Sequence, residues 1–181
     1  MGLRERIKAL PLIPRGSITR ADVMSVVSYD AETGRFTWKV TTRGHGKMIH
    51  PGDAAGWTRD GYRMLQLFGH TYRAHRVAWF LMSGAWPPEG REVDHENRDR
   101  GDNRWSNLRL ATRSENNMNS KVRLDNTSGF KGVHRSRTGK WFARIAHNKR
   151  VIGLGTFRTR EEAAAARAAA EKRLFGQFAS S

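Results

Sequence analysis

"VDHENRDRGDNRWSNLRLATRSENN", residues 93–117, places an aspartate and a histidine at the end of an apolar run and follows them with a dense polar stretch. The pattern is strand, loop, strand, helix. "EVDH" is the first strand, Glu96 to Asn107 the loop, and "LRLAT" the second strand. Thr112 with Glu115 three residues later has the spacing of a capping box, so a helix starts there and carries Asn116 in its first turn. Asp94 offers a carboxylate and Asn116 a carbonyl oxygen, both hard ligands for a divalent cation. His95 is adjacent to Asp94 but points to the opposite face of the strand. Its ordinary pKa near 6.5 suits it to take a proton at neutral pH.

Working outward, the 181 residues carry 33 Lys and Arg against 17 Asp and Glu, a formal net charge of +16. That excess suits a polyanion, because each phosphate neutralised by Lys or Arg releases counterions. An anionic membrane is the competing partner. No apolar run is long enough to span a bilayer, and "MGLRERIKALPLIPRG" lacks the apolar middle of a signal peptide, so no membrane association and a cytoplasmic location are expected. The chain has no cysteine, which excludes disulfides and Cys-ligated zinc. A metal site must then use His, Asp, Glu, Asn or carbonyl oxygen, a set suited to Mg2+, with Mn2+ as the alternative. A metal, a base and a basic surface together point to phosphodiester hydrolysis.

Upstream, residues 1–17 read as a loose arm. Thr19 and Asp22 open a short helix over Val23, Val26 and Val27. A turn at Glu32-Thr33-Gly34 leads into a strand from Phe36 to Val40, and "TTRGHGKMIHPGDAAG" reads as a loop. "GYRMLQLFGHTYRAHRVAWFLMSG" gives a strand, a tight turn near Gly69, and a helix from about Ala74 that ends before Gly84. Downstream of the linker "RLDNTSG", three short strands precede an alanine-rich helix opened by Thr159 and Glu162 and stopped at Gly176. Small alanines let that helix lie close on its sheet. From Asn126 to Arg160 the chain has no carboxylate but nine Lys or Arg, Lys149 among them. A sheet with this one-signed field suits duplex DNA, where arginines alternating on one face can reach base edges and phosphates.

Alone, each piece of the 93–117 stretch reads as turn chemistry. In order and at this spacing, "VDH", "DNRWSNLRLAT" and "SENN" resemble the ββα-metal core of HNH homing endonucleases of the phage and intron-encoded branch. The resemblance implies that His95 is the general base and that Asp94 and Asn116 hold the metal. It makes Asn107 the asparagine whose side chain braces the loop and orients His95, with Asn103 a second candidate. Asn116 stands where many HNH enzymes have histidine. The similarity extends over roughly residues 29–120 when "YDAETGRFTW" and "YRAHRVAWFLMSG" are included. "FKGVHRSRTGKWFARI" and "IGLGTFRTREEAAAARAAAEKRLFG" are similar to the plant ethylene-response-factor (APETALA-type) DNA-binding domain, a three-stranded antiparallel sheet packed on one helix. Thr138 and Arg144 depart from the plant pattern, so its target sequence does not carry over. Arg135, Arg137, Lys140, Arg144 and Arg150 are the expected DNA contacts, while Trp141 and Phe157 belong to the core. None of His45, His50, His70, His75, His134 and His147 is expected to be catalytic.

The expectation is an α+β protein in three parts. Residues 1–28 form an arm and short helix, 29–122 a nuclease domain, and 123–181 a DNA-binding domain. It would cut double-stranded DNA as a monomer, nicking one strand with Mg2+, in the manner of a homing or free-standing phage endonuclease. A DNA-binding regulator or packaging accessory on a catalytically weak scaffold is the alternative. RNA binding is disfavoured because the sheet lacks paired stacking aromatics.

Overall fold

The computed structural model describes residues 10–44, 47–120, 122, 125–147 and 150–176. Most of the expected arm (residues 1–9), His45 and Lys149 lie outside them. The chain divides into two compact units, Met1–Glu89 with Val93–Leu110, and Gly90–Glu92 with Ala111–Ser181. No helix among the described residues is long and apolar enough to cross a membrane.

The first unit opens with α1, Arg20–Val26, capped as its sequence asks: Thr19 Oγ1 accepts from the Asp22 N–H and Asp22 Oδ2 from the Thr19 N–H. An antiparallel hairpin follows, β1 (Val27–Tyr29) with β2 (Phe36–Trp38), two residues shorter than expected at its second strand. Within the stretch expected as loop, β3 (Thr42–Gly44) instead pairs antiparallel with β4 (Lys47–Ile49). Thr42 is buried opposite Ile49. Then come β5 (Trp57–Arg59), β6 (Tyr62–Leu67) and β7 (His70–Arg73), one antiparallel sheet, with α2 (Ala74–Ser83) packed on β6 and β7. Phe68 and Gly69, with φ of 52° and 84°, make the tight turn between β6 and β7, and Gly84 in the left-handed region ends α2. Val23, Val27, Leu65, Leu67 and Val77 are fully buried in the centre of this core, which Val93 and Leu108 join.

β8 (Arg91–His95) pairs with β9 (Leu108–Thr112), and α3 (Arg113–Asn119) follows directly. The second unit contains α3 and an antiparallel sheet of β10 (Val133–Arg135), β11 (Trp141–His147) and β12 (Arg150–Phe157), with α4 (Arg160–Phe175) laid against all three strands. Ala163 and Ala170 are on the buried face of α4, allowing a close approach to the sheet that larger residues would block. The whole is α+β, helices with several small antiparallel sheets.

Candidate functional site

Val93, Asp94 and His95 end β8 buried, and the loop after them is held from within. Asn107 ties its two arms together: Oδ1 accepts from the Asn97 N–H at 2.9 Å and Nδ2 donates to the Asp102 carbonyl at 2.8 Å. Asn97 Nδ2 donates to Asp102 Oδ2, and Asp99 Oδ1 accepts from the Gly101 N–H. Such side-chain-to-backbone bonds are what Asn and Asp do best in turns. The hydrogen-bonded Arg104 guanidinium is the main reason the Asp102 carboxyl is pushed down to about 2, so Asp102 remains an acceptor. The loop is also supported from outside. Tyr29 Oη donates to the Asn103 carbonyl at 2.7 Å, and the Trp105 N–H donates to the Ala31 carbonyl at 2.9 Å. Gly34 (φ 71°) permits this approach, since a Cβ there would stand 2.5 Å from the Arg104 nitrogen.

His95 Nε2 lies 3.5 Å from Asn103 Oδ1, while Asn103 Nδ2 donates to the Gly101 carbonyl. The His95 ring meets the His75 ring edge-on at 4.8 Å. Burial lowers the His95 pKa most, against the Asn103 bond and the carboxylates Asp94, Asp102 and Asp99, which raise it. The imidazole is therefore neutral at neutral pH. His75, on α2, is 3% exposed, its Nδ1 makes no hydrogen bond, and burial first of all pushes its pKa well below 6.5. It is a packing residue, as its place beside the apolar face of α2 suggests, but not one bonded to backbone through Nδ1.

Asp94 is 6% exposed, and its Oδ2 accepts from Arg109 Nε at 3.2 Å. A buried carboxylate needs such a partner, since an uncompensated one is strongly destabilising. Arg109 was absent from the sequence expectation. Its only signal is the arginine inside "NLRL", on the strand expected to pair with "EVDH".

Asn116 lies in the second compact unit, whereas Asp94, His95, Asn103 and Asn107 belong to the first. Within the second unit Asn116 Nδ2 donates to Glu92 Oε2. Arg91 and Glu115 form a neighbouring ion pair at 3.4 Å. Glu92 was likewise missed, since nothing in the sequence links it to the helix. The capping box that sets the start of α3 is present in full. Among the described residues no group of three or more His, Cys, Asp or Glu is arranged to hold a metal. One carboxylate and one amide oxygen are nevertheless a hard donor set, and Mg2+ commonly takes only one or two carboxylates and completes its shell with water and phosphate. In donor chemistry, the Asp94 carboxylate and the Asn116 carbonyl oxygen are each of the kind such a cation takes.

The five expected DNA contacts, Arg135, Arg137, Lys140, Arg144 and Arg150, do not share one face. In the register of β11, Ala143 and Ile145 are buried against the α4 side, so Arg144 projects on the open face with Phe142. Arg135 pairs with Trp141, and Arg150 with His147, whose ring packs against Phe175 of α4; both arginines have the parity of the covered side, at the sheet's ends. Arg137 and Lys140 sit in the exposed turn between β10 and β11. Trp141 and Phe157 pack against the cluster of Val133, Ala143 and Ala163.

Residues 72–118 match the sequence model of the family described as HNH endonuclease. The matched segment runs from β7 to α3 and contains His75, Asp94, His95, Asn103, Asn107 and Asn116. The match supports a DNA-cleaving nuclease, of a kind that generally uses divalent metals. The sheet of β10, β11 and β12 and helix α4 lie outside it. No curated protein and no solved structure matches the chain.

Proposed function

We propose that the protein is a divalent-metal-dependent endonuclease that nicks duplex DNA, with His95 as general base. The observation that carries this reading is the placement of His95: buried, neutral, and beside a self-bonded loop inside the segment matched to HNH endonucleases. With Nε2–H directed at the Asn103 oxygen, Nδ1 carries the lone pair. It takes a proton from water as the water oxygen bonds to phosphorus. The bond from phosphorus to the 3′-oxygen breaks, and that oxygen leaves with the bonding pair, takes a proton from solvent water and becomes a 3′-hydroxyl opposite a 5′-phosphate. Asn107 and Asn103 orient the base by fixing the loop. Asp94 and Asn116 would hold Mg2+ or Mn2+, with β8, β9 and α3 as a ββα-metal core. Charge gathering on the phosphate and leaving oxygen is what a bound divalent cation stabilises. Arg109 neutralises Asp94 when no cation is bound.

The sheet of the second unit, similar in sequence to the ethylene-response-factor domain, is the DNA reader, through Arg135, Arg137, Lys140, Arg144 and Arg150. The chain acts as a monomer, since one site addresses one strand. A homing or free-standing phage enzyme working in the host cytoplasm fits the "DN…NL…ENN" resemblance. The test is a magnesium titration of cleavage on a labelled duplex. Asp94→Ala and Asn116→Ala are expected to raise the half-maximal magnesium concentration as they lower the rate. Wild-type titration curves from both variants would remove the ligand pair.

A further inference from the structure

We propose that Lys131, just before β10, is a positioning residue for the nuclease reaction: it holds the C-terminal end of α3 and, through it, Asn116. The proposal rests on the reading of Asn116 as a metal ligand given above. α3 has seven residues, about two turns, far too short to persist on propensity alone. Its geometry has to be imposed. The capping box fixes the first turn. At the other end Lys131 Nζ donates to the carbonyls of Asn117 (2.6 Å), Met118 (2.9 Å) and Ser120 (2.8 Å), and to Ser120 Oγ (2.9 Å). One ammonium thus satisfies carbonyls that a helix end leaves without partners, and its charge complements the negative end of the helix dipole.

Lys131 is itself held. Gly132 (φ 70°) accepts from the Arg144 N–H at 2.9 Å, and a Cβ on it would stand 2.4 Å from the Arg144 carbonyl oxygen. The backbone beside Lys131 is therefore fixed against the middle of β11. The rotation of α3 is fixed by the same unit. Met118 is buried with Ile145, Ala170 and Phe175, and its sulfur lies 3.5 Å from Arg167 Nη2. Residues two apart on a helix point about 200° apart. Burying Met118 against the sheet and α4 thus turns Asn116 the other way, where Glu92 takes its amide. The C-terminal sheet and helix are part of the scaffold of Asn116, beyond any contact they make with DNA.

The experiment uses the full chain with Lys131→Met, Lys131→Arg, Asn116→Ala and the Lys131→Met/Asn116→Ala pair. Single-turnover cleavage, DNA affinity in calcium and amide hydrogen exchange in α3 without metal are measured. Lys131→Met is expected to slow cleavage roughly tenfold, as loss of a residue supporting a metal ligand does. It should also speed exchange at Asn117, Met118 and Asn119 and leave DNA affinity within about twofold, and Lys131→Arg should restore most of the rate. On the Asn116→Ala background Lys131→Met should add almost nothing, because both act through one group. An equal further loss on that background, or unchanged exchange and rate in Lys131→Met, overturns the proposal. If Asn116→Ala cleaves with the wild-type rate and metal dependence, the ligand reading fails instead, and exchange still reports whether Lys131 holds α3. Should Lys131→Met not fold, Lys131→Gln carries the same comparison.

Discussion

In the loop between β8 and β9, Asn97, Asp99, Asp102, Asn103 and Asn107 turn their side chains onto the loop's own backbone and onto one another. In the C-terminal sheet, the side chains of Arg135, Arg137, Lys140, Arg144 and Arg150 make no hydrogen bond or ion pair among the described residues, and all five are exposed. Both regions are polar in sequence, yet the first uses its polar groups to hold a shape and the second leaves its charges exposed. A substitution in the loop should therefore act on rate and stability, and one in the sheet on affinity and its salt dependence.

The largest effect should come from the group the loop presents. His95→Ala is expected to slow cleavage about a hundred- to ten-thousandfold, the range for a lost general base, with DNA affinity in calcium nearly unchanged. A variant that cuts at the normal rate removes His95 from the mechanism. Next is the brace. Asn107→Ala strips partners from the Asn97 N–H and the Asp102 carbonyl. With about 0.5–1.5 kcal/mol for each of these two part-buried bonds, a loss of roughly 1–3 kcal/mol in unfolding free energy is expected, together with slower cleavage. Denaturant melts that superimpose on wild type would show that the loop does not depend on its own bonds.

pH offers a third approach. The His75 pKa in the folded protein is depressed well below its unfolded value near 6.5, so the unfolded chain binds the extra proton first. Stability is then level above pH 6.5 and falls as the pH drops below it toward the folded pKa. His75→Phe should flatten that acid-side fall, measured as melting temperature against pH between 7 and 5. An unaltered profile assigns the loss to other groups.

The smallest effect separates the second region from the first. Arg144→Ala should leave the melting temperature in place. It should also reduce the slope of log affinity against log salt by about 0.9 if Arg144 meets one phosphate. Because Arg135 and Arg150 share the parity of the covered side, their alanine variants test whether the ends of the sheet also engage. Slopes equal to wild type in all three would separate this sheet from DNA binding.

The sequence exposes these regions unequally. The caps at Thr19, Thr112 and Thr159 were legible because each pairs a threonine with an acid three residues on, and all three form in full. The hairpin of β3 and β4 was not, since its glycine-rich sequence shows little alternation. β5 was missed although Asp60–Gly61, both at positive φ, carried the turn signal that should have found it. For the site, Asp94 and His95 read alone as turn chemistry, and the ordered resemblance is what singled them out. The bonds of Glu92, Arg109 and Lys131 were not legible, because each partner is distant in sequence. Nor does anything in "SENNMNS" say that Met118 packs with Ile145 and Phe175, so α3 read as the end of one domain rather than part of the next.

The most direct test of the central claim is the fate of supercoiled plasmid at limiting protein with magnesium, and with magnesium removed by chelator. The expected result is conversion to open circles well before linear DNA appears, with 3′-hydroxyl and 5′-phosphate ends and no conversion under chelation. Plasmid that stays supercoiled in magnesium and manganese alike, while the protein still binds it, would contradict the nuclease reading and leave a DNA-binding protein on a nuclease scaffold.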